Sequence, residues 1–249
     1  MSQKASITIR NKEFTYGKTL ICVSDTANDL KSLIEDAKKI VAAGADIIEW
    51  RLDCFAEYEN KVAIKDSLVG LRQVLGDMPL ILTFRTDREG GKSPISLEKY
   101  KEIYEYIAEL GLVDIFDIEM WIASCVETAF VEKLRRVGKL IYSKHDFNKT
   151  PSKEKIVDTL IQMQDAGADI AKIALMPQSK EDVDALMDAS AEVAEKSPKT
   201  PIITISMGEM GRESRIQGNR TGSCLTFAVV GKASAPGQVD IQELRELMK

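Results

Sequence analysis

The chain of 249 residues contains a single histidine, His145, and only four cysteines, which lie far apart. A zinc site of the usual histidine and cysteine kind would need thiols that are distant in sequence, because no Cys-x-x-Cys pair is present. No nucleophile elbow is recognisable either, which argues against a serine or cysteine hydrolase. Scattered cysteines without paired spacing favour reduced thiols, and we therefore expect a cytoplasmic protein without a metal site.

The chain also lacks a basic excess and a long apolar run. Its formal net charge is −5, whereas a nucleic-acid footprint would need a basic face. No apolar stretch approaches the length that spans a membrane, and residues 1–20 hold no signal-peptide core. A hydrophobic content of 44% is typical of a soluble globular protein. We therefore expect neither a nucleic-acid partner nor a membrane.

Short β-branched runs alternate with amphipathic stretches from residue 19 to the end of the chain. The runs predict strands at residues 20–23, 47–51, 80–84, 115–119, 140–145, 170–174, 202–206 and 225–230. The stretches predict helices near residues 29–43, 64–75, 97–110, 125–137, 152–166 and 179–196, a helical turn at 209–216 and a short tail after 238. Eight strand–helix units in a chain of this length predict a (β/α)₈ barrel, the TIM barrel fold.

Residues 7–16 alternate between apolar and polar side chains, with Asn11-Lys12 at a turn. This pattern predicts a β-hairpin before the first barrel strand, placed so that it closes the bottom of the barrel. We expect a single domain over residues 1–249, with the hairpin in 1–18 and the barrel in 19–249.

A short motif repeats along the chain. The sequence Ala-Gly-Ala-Asp occurs at 43–46 and again at 166–169, each time at a predicted helix end and directly before a predicted strand. Glu49 and Lys172 therefore occupy equivalent positions in two repeat units. Residues 111–119 form a looser third copy.

Charged residues recur near the ends of the predicted strands. Glu49 and Arg51 share one face of their strand, with Trp50 on the other face. Charges inside a barrel are costly unless they are paired or face a cavity, and barrel enzymes keep their chemistry at the carboxyl ends of the strands. The charged residues at the carboxyl ends of the predicted strands therefore predict a polar ligand at that rim of the barrel. They are Glu49, Arg51, Arg85, Asp117, Glu119, His145 and Lys172.

Lys172 is the strongest candidate for a chemical role. Its neighbours in the strand are apolar, so we expect its ammonium to be desolvated and readily deprotonated. A neutral amine can attack a ketone and form an imine, an electron sink that needs no cofactor. The alternative is a structural barrel lysine paired to a carboxylate. His145 suits the accompanying proton transfers, although a surface or capping histidine is the alternative.

The polar loop 234–238 follows the last predicted strand and contains Pro-Gly. In a barrel, polar side chains on this loop lie where a ligand would be closed over. The alternative is an ordinary turn, because Pro-Gly is common in turns.

Taken together, these segments resemble the type I 3-dehydroquinate dehydratases of the shikimate pathway. The resemblance covers nearly the whole chain, and its specificity lies in the order and spacing of individually weak motifs. They are Glu-Trp-Arg-Leu-Asp at 49–53, Thr-Phe-Arg at 83–85, Glu-Gly-Gly at 89–91, His145, Lys172, 203–208, Ser-Arg at 214–215, Gly-Ser at 222–223, Thr-Phe at 226–227 and 234–238.

The resemblance implies that Lys172 forms a Schiff base with the C3 ketone of 3-dehydroquinate. It implies that His145 moves protons at C2 and at the C1 hydroxyl, giving 3-dehydroshikimate for aromatic amino-acid biosynthesis, and that Glu89 orients His145. It further implies a homodimer and a small-molecule substrate, without cofactor or metal. The implied substrate-binding residues are Ser24, Glu49, Arg51, Arg85, Met207, Arg215, Phe227, Ser234 and Gln238.

Residues 219–221, Asn-Arg-Thr, depart from the family pattern, which often has an apolar residue before Gly222-Ser223. Arg220 is therefore expected either to point to solvent or to add a charge near the site. Two other functions stay open at this point: a class I aldolase, which usually needs a glycine-rich phosphate cradle, and a non-catalytic barrel that binds a polyhydroxy acid. A role in quinate breakdown also stays open.

Overall fold

The main sheet consists of parallel strands whose order in space follows their order in the chain. The structure is a computed structural model that describes residues 5–197, 199–231 and 237–249. The strands of this sheet are β3 (Leu20–Asp25), β4 (Ile47–Arg51), β5 (Leu80–Thr83), β6 (Ile115–Glu119), β7 (Lys139–Asp146), β8 (Ile170–Leu175), β9 (Ile202–Ser206), β10 (Leu225–Val229) and β11 (Val239–Asp240). The helices are α1 (Leu30–Ala42), α2 (Lys61–Leu75), α3 (Leu97–Leu110), α4 (Met120–Ala123), α5 (Thr128–Arg135), α6 (Lys153–Asp165), α7 (Lys180–Lys196), α8 (Arg212–Ile216), α9 (Gly218–Thr221) and α10 (Ile241–Leu247).

The ring of strands closes between β9 and β10. Strand β10 pairs with β3, and a parallel bridge joins Ile202 of β9 to Ser223 just before β10. The Cys224 N–H donates to the Ile202 carbonyl at 2.8 Å, and the Thr204 N–H donates to Ser223 Oγ at 3.1 Å. The predicted (β/α)₈ barrel is therefore confirmed. The short strand β11, which extends the sheet beside β10, was not predicted.

The predicted hairpin is present as β1 (Ser6–Ile9) and β2 (Lys12–Thr15). Its turn is Arg10-Asn11 rather than Asn11-Lys12, because Lys12 already pairs with Ile9. Ile9 and Phe14 belong to the same buried apolar cluster as the first inward residues of the barrel strands, such as Ile47. The hairpin thus covers the bottom of the barrel, as expected.

Side chains alternate along each barrel strand between the interior and the helical layer. On β4, Ile47 faces the interior cluster, whereas Ile48 and Trp50 join the cluster between the sheet and the helices. Ile170 and Ala171 divide in the same way on β8. This period of two places every second strand residue inside the barrel.

The repeated motif noted in the sequence joins neighbouring strands at the bottom of the barrel. Asp46, Asp114 and Asp169, here called the basal aspartates, each accept a hydrogen bond from a backbone N–H at or next to the start of the preceding strand. Each also pairs with a basic side chain, which is Lys12 for Asp46, Arg10 and Arg72 for Asp114, and Arg135 and Lys139 for Asp169. A glycine at positive φ precedes each aspartate, as the predicted helix caps require.

The segment after β6 departs from the prediction of one helix over 125–137. It forms the short helix α4 directly after β6, a turn, and then α5. The Trp121 indole N–H donates to Glu119 Oε2 at 2.7 Å, which holds the first residues of α4 against the end of the strand. Within the described residues, none of the helices has both the length and the apolarity needed to cross a bilayer.

Candidate active site

A cavity of about 600 Å³ opens at the carboxyl ends of the barrel strands. The predicted site residues that line it are Ser24, Glu49, Arg51, Arg85, Glu89, His145, Lys172, Met207, Arg215, Phe227 and Gln238. Ser234, the remaining predicted contact, lies outside the described residues. Positions from 24 to 238 in the sequence therefore converge on one space, as the expected rim of charges requires.

One layer of the barrel carries the central charges. Lys172 Nζ lies 2.8 Å from Asp117 Oδ2 and 3.5 Å from Glu49 Oε1, and 4.8 Å from the centre of the Phe227 ring. These residues come from the alternate strands β4, β6, β8 and β10, which is how side chains form layers in such barrels. We call Glu49, Asp117 and Lys172 the central ionic cluster.

Lys172 is buried, as expected, but its amine also meets charged groups that its sequence neighbours did not indicate. Ala171 and Ile173, its neighbours in sequence, point to the helical layer, while the Lys172 amine meets two carboxylates from other strands. The side chain is only 4% exposed. The two carboxylates were not anticipated because the residues next to Lys172 in sequence face the other side of the sheet, so its contacts across the barrel come from other strands.

Asp117 was recognised in the sequence only as one of several rim charges, and it is the most enclosed of them. Its Oδ1 accepts from Arg85 Nη2 at 2.9 Å and from Ser143 Oγ at 2.6 Å. Burial opposes ionisation of Asp117, but the charges of Arg85 and Lys172 outweigh burial and lower its pKa. The signal that could have found it is the third repeat, because Asp117 follows Asp114 as Glu49 follows Asp46 and Lys172 follows Asp169.

Glu49 is held from two sides. Its Oε2 accepts from the Ser24 hydroxyl, and its Oε1 accepts from Thr83 Oγ1 at 2.8 Å. Burial would raise the pKa of Glu49, but the positive charges of Lys172 and Arg51 lower it. Glu49 is therefore an ionised acceptor on the wall of the cavity.

Arg85 connects the central ionic cluster to the neighbouring carboxylates. Besides Asp117, its guanidinium binds Glu119 Oε1 and Ser143 Oγ, both at 3.0 Å, and it lies 3.7 Å from Glu89 Oε2. Glu119 also accepts from the Thr86 N–H at 2.8 Å. These contacts fix the guanidinium from several directions.

His145 and Glu89 form a close pair on one side of the cavity. Glu89 Oε2 lies 3.0 Å from His145 Nδ1 and accepts the His145 backbone N–H at 2.9 Å. Burial, with repulsion from Glu119, raises the pKa of Glu89 to about 8. Burial, with the charges of Arg85 and Lys172, lowers the pKa of His145 well below its usual value. The imidazole is therefore neutral at pH 7 and can accept a proton.

The turn that carries Glu89 depends on glycine. The Gly91 N–H donates to the Thr86 carbonyl at 2.7 Å, and a Cβ at position 91 would lie 1.7 Å from the Arg85 carbonyl oxygen. Only glycine permits this close approach. The tight turn brings Glu89 back towards the end of β7, where His145 lies.

Arg51 is oriented by Asp53, whose role the sequence did not reveal. Both Asp53 oxygens accept from the Arg51 guanidinium at 2.8 Å. Asp53 also accepts the backbone N–H groups of Arg85 and Lys92, each at 3.1 Å. Asp53 therefore ties Arg51 to the loop after β5.

Arg215 brings a second buried guanidinium to the cavity. The Ser214 hydroxyl donates to the Gly211 carbonyl at 2.7 Å and accepts the Ser206 N–H at 2.9 Å, which fixes α8 against β9. Burial lowers the pKa of Arg215 to about 10, while Glu209 opposes the shift. Arg215 thus remains charged at neutral pH and suits an anionic ligand.

Gln238, which lies just before β11, lines the cavity. A Cβ at Gly237 would lie 2.1 Å from the Gly208 carbonyl oxygen, so the segments around these two glycines are in close contact.

Residues 219–221 lie outside the cavity. The Asn219 side chain accepts the Thr19 N–H at 2.7 Å, ahead of β3, and Arg220 is exposed. The departure from the family pattern therefore does not place Arg220 in the cavity.

Comparison with known proteins identifies the family. The profile described as type I 3-dehydroquinase matches residues 21–249. A 3-dehydroquinate dehydratase from Klebsiella pneumoniae is 44% identical, over 98% of this chain and 97% of its own length. One from Clostridioides difficile is 41% identical, over 98% and 96%.

Solved structures agree with this assignment. The type I 3-dehydroquinate dehydratase from Clostridium difficile, solved with covalently modified comenic acid, has a TM-score of 0.91 at 39% identity, covering 98% of this chain and 96% of that one. The 3-dehydroquinate dehydratase from Geobacillus kaustophilus also has a TM-score of 0.91, at 32% identity, covering 98% and 95%. This chain belongs to the type I 3-dehydroquinase family.

Proposed function

We propose that the protein dehydrates 3-dehydroquinate to 3-dehydroshikimate through an imine on Lys172. The observation that carries this proposal is that the Lys172 amine and the neutral His145 line one cavity in a chain of this family. The product would serve aromatic amino-acid biosynthesis by the shikimate pathway, and a role in quinate breakdown would use the same reaction.

The reaction requires no external redox partner. The Lys172 ammonium gives up one proton, its amine adds to the C3 ketone, and return of that proton with loss of one water gives an iminium. Removal of the C2 proton places the electron pair in an enamine, which expels the C1 hydroxyl as a second water. Water then hydrolyses the iminium, returning the amine and releasing the enone. The net change is the loss of one water from the substrate.

His145 would carry the protons in these steps. As a neutral imidazole it accepts the C2 proton and then donates a proton to the departing C1 hydroxyl. Glu89, 3.0 Å from Nδ1, holds the ring in place and stabilises the imidazolium while it exists.

The remaining residues would bind and enclose the substrate. Arg215 would bind the carboxylate as a planar fork, and Met207 and Phe227 would pack against the ring. Ser234 and Gln238 would close over it. The ring hydroxyls would meet Glu49, Arg51 and Arg85, with Ser24 nearby.

Assembly, location and cofactor use are part of the same proposal. We expect a cytoplasmic homodimer, as the resemblance implies, acting on a small molecule. In the described part of the chain no three metal-ligating side chains are grouped as a metal site would need.

The direct test is to add 3-dehydroquinate and follow the ultraviolet absorbance of the conjugated enone. An aldolase or a non-catalytic binder would give no such signal. Borohydride with substrate or product should inactivate the protein irreversibly, and peptide mapping should find the label on Lys172. A label on another lysine, or none, would refute the imine on Lys172. Chelators should not change the rate.

Gln238 provides a test of the closing loop. Gln238→Ala should raise KM without preventing imine formation, because about one hydrogen bond worth roughly 1–2 kcal/mol is lost. Ser234→Ala is expected to behave similarly. Wild-type kinetics in both variants would mean that 234–238 is an ordinary turn.

A further inference from the structure

We propose that Asp117 is the fixed counter-ion of the iminium on Lys172, and this rests on the imine chemistry proposed above. Asp117 would act by contact with the reacting nitrogen throughout the cycle. It would neither bind the substrate ring nor exchange protons.

The first argument is position. Two carboxylates contact Lys172 Nζ, Asp117 at 2.8 Å and Glu49 at 3.5 Å. Nζ is also the nitrogen of the iminium, which keeps one N–H after it binds the substrate carbon. The nearer acceptor for that N–H is Asp117 Oδ2.

The second argument is the division of labour between these carboxylates. Glu49 lines the cavity, whereas Asp117 is not among the described residues that line it. The Asp117 side chain has no exposed surface. Substrate hydroxyls can therefore reach Glu49 while Asp117 stays in contact with Nζ.

The third argument is rigidity. Asp117 Oδ1 is engaged by Arg85 Nη2 at 2.9 Å and by Ser143 Oγ at 2.6 Å, which leaves Oδ2 for Lys172. The Asp117 carbonyl accepts the Tyr104 hydroxyl at 2.9 Å, so the backbone is held as well. A charge fixed in this way needs no reorganisation when the iminium forms.

Charge balance explains why one fixed anion serves the whole cycle. An ammonium and a ketone give an iminium and one water, so the nitrogen is cationic before and after the step. The cation is also the form that withdraws electrons from C2, because a neutral imine is a weaker electron sink. A nearby anion in a poorly solvated site favours that cation.

Among the described residues, the other groups around Nζ do not provide an equivalent contact. Glu49 on β4 is farther away, the Phe227 ring on β10 is uncharged, and Cys22 on β3 is a buried thiol whose pKa is raised by burial. His145 on β7 is neutral, and Arg85 in the loop after β5 is a cation already bound to Asp117. Asp117 is therefore the anion that sets the protonation of the iminium.

The test compares Asp117→Asn with Glu119→Gln. Both changes remove a buried carboxylate of β6 that binds Arg85, but only Asp117 touches Lys172. Borohydride trapping of the product adduct is measured from neutral to alkaline pH, together with kcat and KM. In Asp117→Asn the pH midpoint at which borohydride trapping is lost should fall by about one pH unit or more. The factor by which kcat falls should be larger than the factor by which KM rises. In Glu119→Gln the trapping midpoint should stay at the wild-type value.

An unchanged trapping midpoint in a folded Asp117→Asn, or an equal shift in Glu119→Gln, would overturn the proposal. If Asp117→Asn does not fold, the nitrogen NMR resonance of the adduct that persists in His145→Ala protein with ¹⁵N-labelled lysine decides. It should be that of a protonated iminium at mildly alkaline pH, and a neutral imine there would overturn the role of Asp117. Absence of any wild-type adduct would instead refute the proposed function itself.

Discussion

The two ends of the barrel use the same kinds of charged residue in different ways. At the bottom, the basal aspartates bind backbone N–H groups and basic side chains while 12–22% of each side chain stays exposed. At the mouth, the central ionic cluster is enclosed, with side chains 0–4% exposed. In both places each carboxylate has a cationic partner, so pairing alone does not separate structural from chemical charges.

The two ends differ in how deeply their charges are buried, and the charges at the mouth lie beside a cavity. Partly exposed pairs that bridge strands contribute to stability at little desolvation cost. Enclosed charges are expensive to bury, and their mutual attraction at best offsets that cost. The charges at the bottom should therefore be replaceable with an effect on stability, while those at the mouth should govern turnover.

The largest effect is expected for Lys172→Ala. Turnover should fall to background in the enone assay, because the amine that forms the proposed imine is removed. The unfolding free energy should also fall, by roughly 3 kcal/mol, since Asp117 and Glu49 lose their shared cation. The sequence alone, with Lys172 in apolar surroundings, would have predicted relief of a burial cost. Urea unfolding distinguishes the two, and a more stable variant would contradict the pairing described above.

His145→Ala should have the next largest effect at the mouth. Positioned acid–base groups are worth about 10²–10⁴-fold, and His145 would serve several steps. The imine should still form slowly but hydrolyse poorly, so mass spectrometry with product should show a persistent adduct without borohydride. Wild type is the control and should show little adduct. Activity within a few-fold of wild type would mean that another group, such as Glu89 or water, carries the proton.

Asp114→Asn tests the bottom of the barrel. Asp114 accepts from Arg10 Nε at 2.6 Å, Arg72 Nη2 at 2.9 Å and the Leu80 N–H at 2.8 Å. The unfolding free energy should fall by about 1–3 kcal/mol, while kcat stays near wild type. Asp36→Asn, which removes an exposed pair with Lys39, is the matched control and should change stability little. A large loss of kcat in Asp114→Asn would break the distinction between the two ends.

The narrowest effect, confined to one pH range, concerns the Glu89 carboxyl. Its pKa is raised from 4.5 to about 8 in the folded protein, so folding retains a proton that the unfolded chain loses above about pH 4.5. Its contribution to stability is full below pH 4.5 and is lost as the pH rises through 8. The difference in unfolding free energy between wild type and Glu89→Gln should change by roughly 1–3 kcal/mol over that window. The lowered pKa of His145 has the opposite effect, because it reduces stability as the pH falls below the usual histidine pKa. Taking the difference between wild type and Glu89→Gln removes this contribution, since both proteins contain His145. A constant difference would contradict the raised pKa.

Much of the fold was predictable because its signals are local. The β-branched runs gave the strands, the alternation along β4 gave the shared face of Glu49 and Arg51, and the glycine before each basal aspartate marked the helix ends. The break between α4 and α5 was not predicted: one helix was expected over 125–137, whereas the structure has α4 at Met120–Ala123 and α5 at Thr128–Arg135. The hairpin turn was misplaced by one residue because Arg10 adopts a positive φ of 51° that residue type does not indicate.

The sequence predicted which residues belong to the site better than it predicted the contacts between them. Residues such as Arg51 and Arg215 were expected at the rim, and the structure brings them to one cavity. The partner of Lys172 and the role of Asp53 depend on distances across the barrel, which strand periodicity does not specify. The repeat that relates positions 49, 117 and 172 was visible in the sequence, and it corresponds to one layer of the barrel.

The contact between Lys172 and Glu49 joins residues 123 positions apart. The cavity that both residues line is also lined by Ser24, near the start of the chain, and Phe227, near its end. The complete site therefore requires strands from both ends of the polypeptide. Contacts between such distant residues form late in folding, because a long loop must close first. Recovery of enzyme activity on refolding should therefore report closure of the whole ring, and should lag behind recovery of helical circular dichroism.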